Sequence, residues 1–143
     1  MSFVVEKTEA FERIEHDLER APEVKFACLA ILDFIATKGH EFVDRLTFGQ
    51  LTRVAALGDV SDVVPAIQYL TGARLHLLEP RFEFIDEERD FAEEVPLDVV
   101  ARARADRIFY HPHTGEPVED FERSLFMFFV LSGAAKAIGH VKQ

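Results

Sequence analysis

The sequence predicts an α+β fold, mainly helical, built as a single domain over residues 1–143. Three observations carry this. Apolar residues recur at helical spacing near both termini. Short period-2 alternation is confined to stretches around Phe82–Phe84 and Tyr110. A chain of 143 residues, 48% apolar and 29% charged, suits one ordinary globular core.

The opening "TEAFERIEHDLER" reads as an amphipathic helix, with Phe11, Ile14 and Leu18 on one face. "AP" at 21–22 breaks it, because proline is tolerated in the first turn of a new helix but not inside one. The next stretch, "EVKFACLAILDFIATKG", is apolar around most of its circumference through Phe26, Cys28, Leu29, Ile31, Leu32, Phe34 and Ile35. It is therefore expected to be central, with Gly39 as its stop. Residues 1–39 thus form a helical N-terminal part.

Over residues 42–87, Thr47 or its neighbour can cap a short helix to about Ala56. "LGDVS" supplies a turn with Gly58 free for positive φ, and Ser61 or Asp62 caps a second helix with Pro65 in its first turn. Val63, Ile67 and Leu70 share the inward face, leaving Pro65, Gln68, Tyr69 and Thr71 outward. "ARLHLLE" and "RFEFIDE" then read as a β-hairpin with its tip at Pro80-Arg81. "DEERDFAEE" follows as a solvated acidic connector. Residues 96–143 are expected to hold a helix from Pro96 with Leu97, Val100 and Ala101 inward, and a hairpin around "HPHTG" closed by Gly115. An apolar helix from about Phe121 ends the chain.

Helix, turn, helix and hairpin in that order resemble the winged-helix superfamily. The resemblance covers residues 42–87, under a third of the chain, and rests on element order and length. It implies that "SDVVPAIQYLTG", residues 61–72, occupies the place of the recognition helix, and that DNA is read by a dimer on two half-sites. Composition argues the other way. Net charge is −10, from 26 acids and 16 bases, and residues 47–87 hold only Arg53, Arg74 and Arg81 against six acids. Such a field repels phosphate backbones and anionic lipid. Possible DNA contacts are therefore confined to Arg53, Gln68, Arg74 and Arg81, with nucleic acid the less favoured partner.

The same outward set suits a protein partner, since proline and tyrosine present semi-rigid apolar area. The expected partner-binding residues are Pro65, Gln68, Tyr69, Pro80 and Arg81, joined by Arg104, Arg107 and Tyr110 from "ARARADRIFYHPH", where cations and aromatics interleave. In the C-terminal helix, Phe126, Val130, Gly133, Ala134 and Ala137 are a possible homodimer interface.

Chemistry-bearing patterns are sparse. His111 and His113 flank Pro112, whose turn would splay them, so no metal is expected. Cys28 lies in the most apolar helix, where a thiol is an inert small hydrophobe. There is no nucleophile elbow and no phosphate-cradling glycine loop, so neither catalytic residues nor a cofactor are expected. The start, "MSFVVEKTEA", carries charge by residue 6 and no apolar leader, and the uncharged run from Ser124 to Ala135 is too short to span a bilayer. A cytoplasmic protein without a membrane role is the expectation.

These features predict a non-catalytic interaction module: an adaptor, accessory or regulatory subunit on a winged-helix-like scaffold. The alternatives are a dimeric DNA-binding regulator and a small acidic inhibitor or immunity-type protein. The charge argument has a direct consequence. Anisotropy of a labelled mixed-sequence duplex should show no saturable binding even at low salt, whereas binding with a steep salt slope would favour the regulator.

Overall fold

The computed structural model describes residues 3–38 and 45–140. Within them the chain is α+β, with six α-helices and a three-stranded antiparallel sheet. The helices are α1 (Phe3–Asp17), α2 (Pro22–Lys38), α3 (Phe48–Val54), α4 (Val64–Thr71), α5 (Leu97–Asp106) and α6 (Gly133–His140). The strands are β1 (Leu78–Asp86), β2 (Phe91–Val95) and β3 (Leu125–Leu131), in the order β2-β1-β3. None of the described helices is long and apolar enough to cross a membrane. The chain divides into two compact units, Met1–Glu79 with Phe129–Gln143, and Pro80–Phe128, and the division runs through β1 and β3.

In the first unit α2 is the hub, as its apolar circumference predicts. Helices α1, α3, α4 and α6 all pack on it, and Cys28, Ile31, Leu32, Ile35 and Ala36 are fully enclosed. Three of its expected core residues differ: Phe26 is exposed, and Leu29 and Phe34 are only half-buried. In α1 the buried stripe is Ala10 and Ile14, while Phe11 faces outward, one position off the predicted face. Pro22 opens α2 as expected. The predicted stop at Gly39 lies outside the described residues.

Thr47 caps α3 through a reciprocal pair. Its Oγ1 accepts from the Gln50 N–H at 3.1 Å, and Gln50 Oε1 accepts from the Thr47 N–H at 2.8 Å. The following turn departs from the prediction. Ala56, not Gly58, takes the left-handed conformation (φ 59°). Asp59, rather than Ser61 or Asp62, caps a 3-10 turn (Val60–Val63) that runs directly into α4. The aspartate carboxylate reaches the Ser61 N–H and hydroxyl, a local bond that begins the helix two residues early. The inward face of α4 is as expected, with Val63, Ala66, Ile67 and Leu70 buried.

The hairpin is displaced. Pro80 and Arg81 lie inside β1, whose partner is β2 from the acidic stretch read as a connector; Phe82 pairs with Val95 and Asp86 with Phe91. Proline is accommodated because the paired register with β2 begins only at Phe82, so no bond to that strand is forfeited. The predicted helix from Phe121 is also corrected. Residues 121–124 form a 3-10 turn, Leu125–Leu131 is strand β3, and only Gly133–His140 is helical. A seven-residue apolar run rich in Phe is compatible with either state. Pairing beside β1 makes it a strand, and Leu46 adds backbone bonds of 2.7 and 2.8 Å with Phe129. Ser132 then starts α6, its Oγ accepting from the Ala135 N–H at 3.1 Å.

In the second unit Phe82, Phe84, Val95, Val100, Ala103, Phe109 and Leu125 make a separate small core. Helix α5 contributes Val100 and Ala103; Leu97 and Ala101, expected inward, are exposed.

Removing the α3 cap tests the local account. Thr47→Ala should lower stability by about 1 kcal/mol, read as a shift of the urea midpoint at unchanged slope. Gly58→Ala should cost little, because that position needs no positive φ.

Candidate functional site

The second unit is built around one buried imidazole. His111 follows α5 and the extended Ile108–Tyr110 segment, and its side chain is only 5% exposed. Its Nε2 lies 2.9 Å from Asp86 Oδ2, at the end of β1. Its Nδ1 accepts from the backbone N–H groups of His113 (3.0 Å) and Thr114 (3.2 Å). An acceptor Nδ1 leaves the proton on Nε2, so the neutral Nε2–H tautomer donates to the carboxylate. Phe84 meets the ring edge-on at 5.0 Å and Phe91 lies at 5.3 Å. Arg89 adds a second contact to Asp86 at 3.0 Å. Together the His111 and Arg89 hydrogen bonds hold the Asp86 carboxyl below its usual range.

The turn this creates matches the sequence signal. Gly115 takes φ 78°, its N–H donates to the His111 carbonyl at 2.8 Å, and Tyr110 bridges Pro117. Between that turn and the β1–β2 turn opens a cleft of about 510 Å³. Its lining includes His111 and Asp86, the carboxylates Glu87, Glu88, Glu116 and Glu119, and Phe126 of β3. Among the described residues these four glutamates have no ion-pair partner. Thirteen of the 26 acids and six of the 16 bases fall between Pro80 and Phe128, so this third of the chain carries −7 of the −10. Six of the nine exposed large apolar side chains among the described residues also lie here: Leu97, Val99, Ile108, Tyr110, Phe126 and Met127.

Both nitrogens of His111 are committed, so the imidazole has neither a lone pair nor a proton to offer a molecule in the cleft. The two histidines of "HPH" do not converge with Glu116: His111 turns to Asp86, while His113 lies against Phe91 at 5.4 Å. Among the described residues no three His, Cys, Asp or Glu side chains are grouped to hold a metal ion. In the other unit, burial pushes the Cys28 thiol up to about 12, and its Sγ lies 3.8 Å from the Ala66 carbonyl oxygen.

The residues singled out from the sequence are scattered over both units. Pro65 and Gln68 are exposed on α4, but Tyr69 is half-buried and its hydroxyl donates to Asp17 Oδ2 at 2.6 Å. Arg74 clasps the same carboxylate at 2.7 and 3.1 Å. Arg81 is held by Glu94 at 2.8 Å and belongs to the other unit from Arg53 and Arg74. Arg104 is bidentate on Glu122 and lies over the Phe82 ring at 5.0 Å. Arg107 ends α5 in a left-handed conformation and Tyr110 is exposed. The proposed dimer stripe does not exist as a helical face. Phe126 and Val130 are on β3, Val130 is buried, and Gly133, Ala134 and Ala137 belong to the short α6. The cleft carboxylates were present in the sequence as "DEERDFAEE" and "GEPVE". Their convergence required the β1–β2 turn and the His111 contact, neither of which has a local signature.

Comparison of the chain with models of protein families, with curated proteins and with solved structures finds no match.

The Asp17 cluster makes a pH prediction. Hydrogen bonds from Arg74 and Tyr69 lower the Asp17 carboxyl to about 2. A depressed carboxyl contributes stability above its unfolded value, roughly 3.9, and loses that contribution as pH falls through the folded value. The gap in urea midpoint between wild type and Asp17→Asn should therefore be constant from pH 7 to 5 and narrow towards pH 2. A gap independent of pH across that range would contradict the assignment.

Proposed function

We propose that this chain is a non-catalytic protein-interaction module, an adaptor, accessory or regulatory subunit whose docking surface lies on residues 80–128. The observation that carries the reading is the concentration of exposed apolar side chains on a unit that also carries most of the net charge. Isolated exposed apolar residues are ordinary; six on one small unit, beside a lined cleft, are the composition of an interface. The committed imidazole and the buried, unreactive thiol support a binding role over chemistry. The lone enclosed cysteine also suits a reducing, cytoplasmic setting.

The chain keeps the order helix, helix, strand, strand, with α3 and α4 followed by β1 and β2, and that order supports a winged-helix-like scaffold. For DNA, two of the three candidate cations are already spent, Arg74 on Asp17 and Arg81 on Glu94, which leaves Arg53. A small acidic inhibitor that occludes a cationic site on its target is the second reading, and the −7 carried by residues 80–128 favours it.

A photo-crosslinking amino acid placed at Tyr110 or Phe126 should give adducts of one defined mass in extracts of the cells the protein comes from. The same probe at the equally exposed Phe11 or Phe26 of the other unit should not. Equal labelling at all four positions, or none at Tyr110 and Phe126, would contradict the reading.

A further inference from the structure

We propose that the occupant of this surface is an extended, lysine- or arginine-bearing segment of a partner protein. It adds to the free edge of β3 at Phe126–Met127 and places its cationic side chains in the carboxylate-lined cleft. The inference rests on the reading of residues 80–128 as a protein-docking unit and names the partner's chemistry.

The edge comes first. In the order β2-β1-β3, β3 is terminal. Leu46 exchanges backbone bonds with Phe129, so the N–H and C=O of Phe129 point to the outer side of the strand. Strand alternation turns those of Met127 the same way, and among the described residues no strand or bridge takes them. Proteins guard open edges with lysine, proline or inward charge. From Leu125 to Leu131 β3 has none of these, and Phe126 and Met127 are 48% and 36% exposed. An unguarded edge with apolar side chains on both faces is the surface that a partner strand completes.

Charge then selects the occupant. Phe126 lines the cleft together with the unpaired Glu87, Glu88, Glu116 and Glu119; the two arginines of the lining, Arg89 and Arg123, are paired with Asp86 and Asp120 and leave those four carboxylates unmatched. A segment paired with β3 therefore presents alternate side chains towards four carboxylates and an aromatic wall, a setting for ammonium or guanidinium groups. A second copy of the chain is the other occupant an edge strand admits. It would bring another −7 against the same surface, and like charges oppose that pairing.

The test uses the full chain and a fluorescein-labelled ten-residue peptide alternating Lys and Val, followed by anisotropy. Saturable binding is expected, weakened roughly tenfold or more by neutralising Glu87, Glu88, Glu116 and Glu119 to Gln together. Neutralising Glu9, Glu12, Glu19 and Glu23, which removes the same charge from the other unit, should leave binding unchanged. N-methylation of alternate peptide nitrogens should weaken it as well. No binding, or equal losses in the two quadruple variants, would overturn the proposal. Undiminished binding of the N-methylated peptide would overturn edge addition. A Glu–Val peptide that competes equally would overturn the cationic class while leaving the protein-docking reading standing. A dimer in sedimentation velocity that Met127→Lys dissociates would put a second copy on the edge and overturn the proposal too.

Discussion

The hydrogen bonds of His111 are the constraint on which the second unit depends. The core cluster of residues 80–128 holds seven buried apolar side chains, and small cores of that kind need an additional tie. There is no disulfide to supply one, because the single cysteine is in the other unit. The imidazole does the joining. It fastens the 111–115 turn to the end of β1 through Asp86 and, at the same time, satisfies two backbone N–H groups inside the turn. Removing the ring would leave the N–H groups of His113 and Thr114 without their acceptor and Asp86 with only Arg89, and unmet donors cost more than the bonds themselves contribute. The floor of the cleft and the spacing of its glutamates follow from this fastening.

The distribution of charge follows a similar economy. The cations of the chain are largely engaged within it: Arg74 on Asp17, Arg81 on Glu94, Arg89 on Asp86 and Arg104 on Glu122. Each places a carboxylate of the chain against a cation that phosphate would otherwise meet. Around the cleft the charged groups without an ion-pair partner are carboxylates, since its arginines, Arg89 and Arg123, are paired with Asp86 and Asp120. Thus two of the three arginines that made a nucleic-acid reading conceivable in the sequence, Arg74 and Arg81, are held by carboxylates of the chain itself. Asp17 shows the same logic in the first unit, where one carboxylate accepts from both Tyr69 and Arg74 and joins α1 to α4 and the segment that follows it.

How much of this was legible varies with how local the cause is. The Thr47 cap, the Pro22 restart, the inward face of α4, the Gly115 turn and the central place of α2 are set by neighbours a few residues apart, and the sequence states them. The failures share a different origin. Leu125–Leu131 reads as helix or strand until it pairs with β1, some forty positions earlier, and Leu46 bridges Phe129. The stretch "DFAEEV" looks like a solvated connector because β2 is an edge strand, whose middle residues are exposed and carry no apolar alternation. The cleft was harder still. Its members come from β1, the turn after it, the 111–119 segment and β3, and only the long-range His111–Asp86 bond brings them round one space.

The central claim is that His111 is a fixed structural group and the cleft a preformed recognition surface. Long-range proton–nitrogen correlation NMR of the histidine imidazoles tests it most directly. The account predicts a single Nε2–H tautomer for His111, with an unprotonated Nδ1 and a slowly exchanging ring proton at neutral pH. An Nδ1–H tautomer, or nitrogen signals averaged between the two forms, would mean that the ring is free to exchange protons in the cleft and would contradict it.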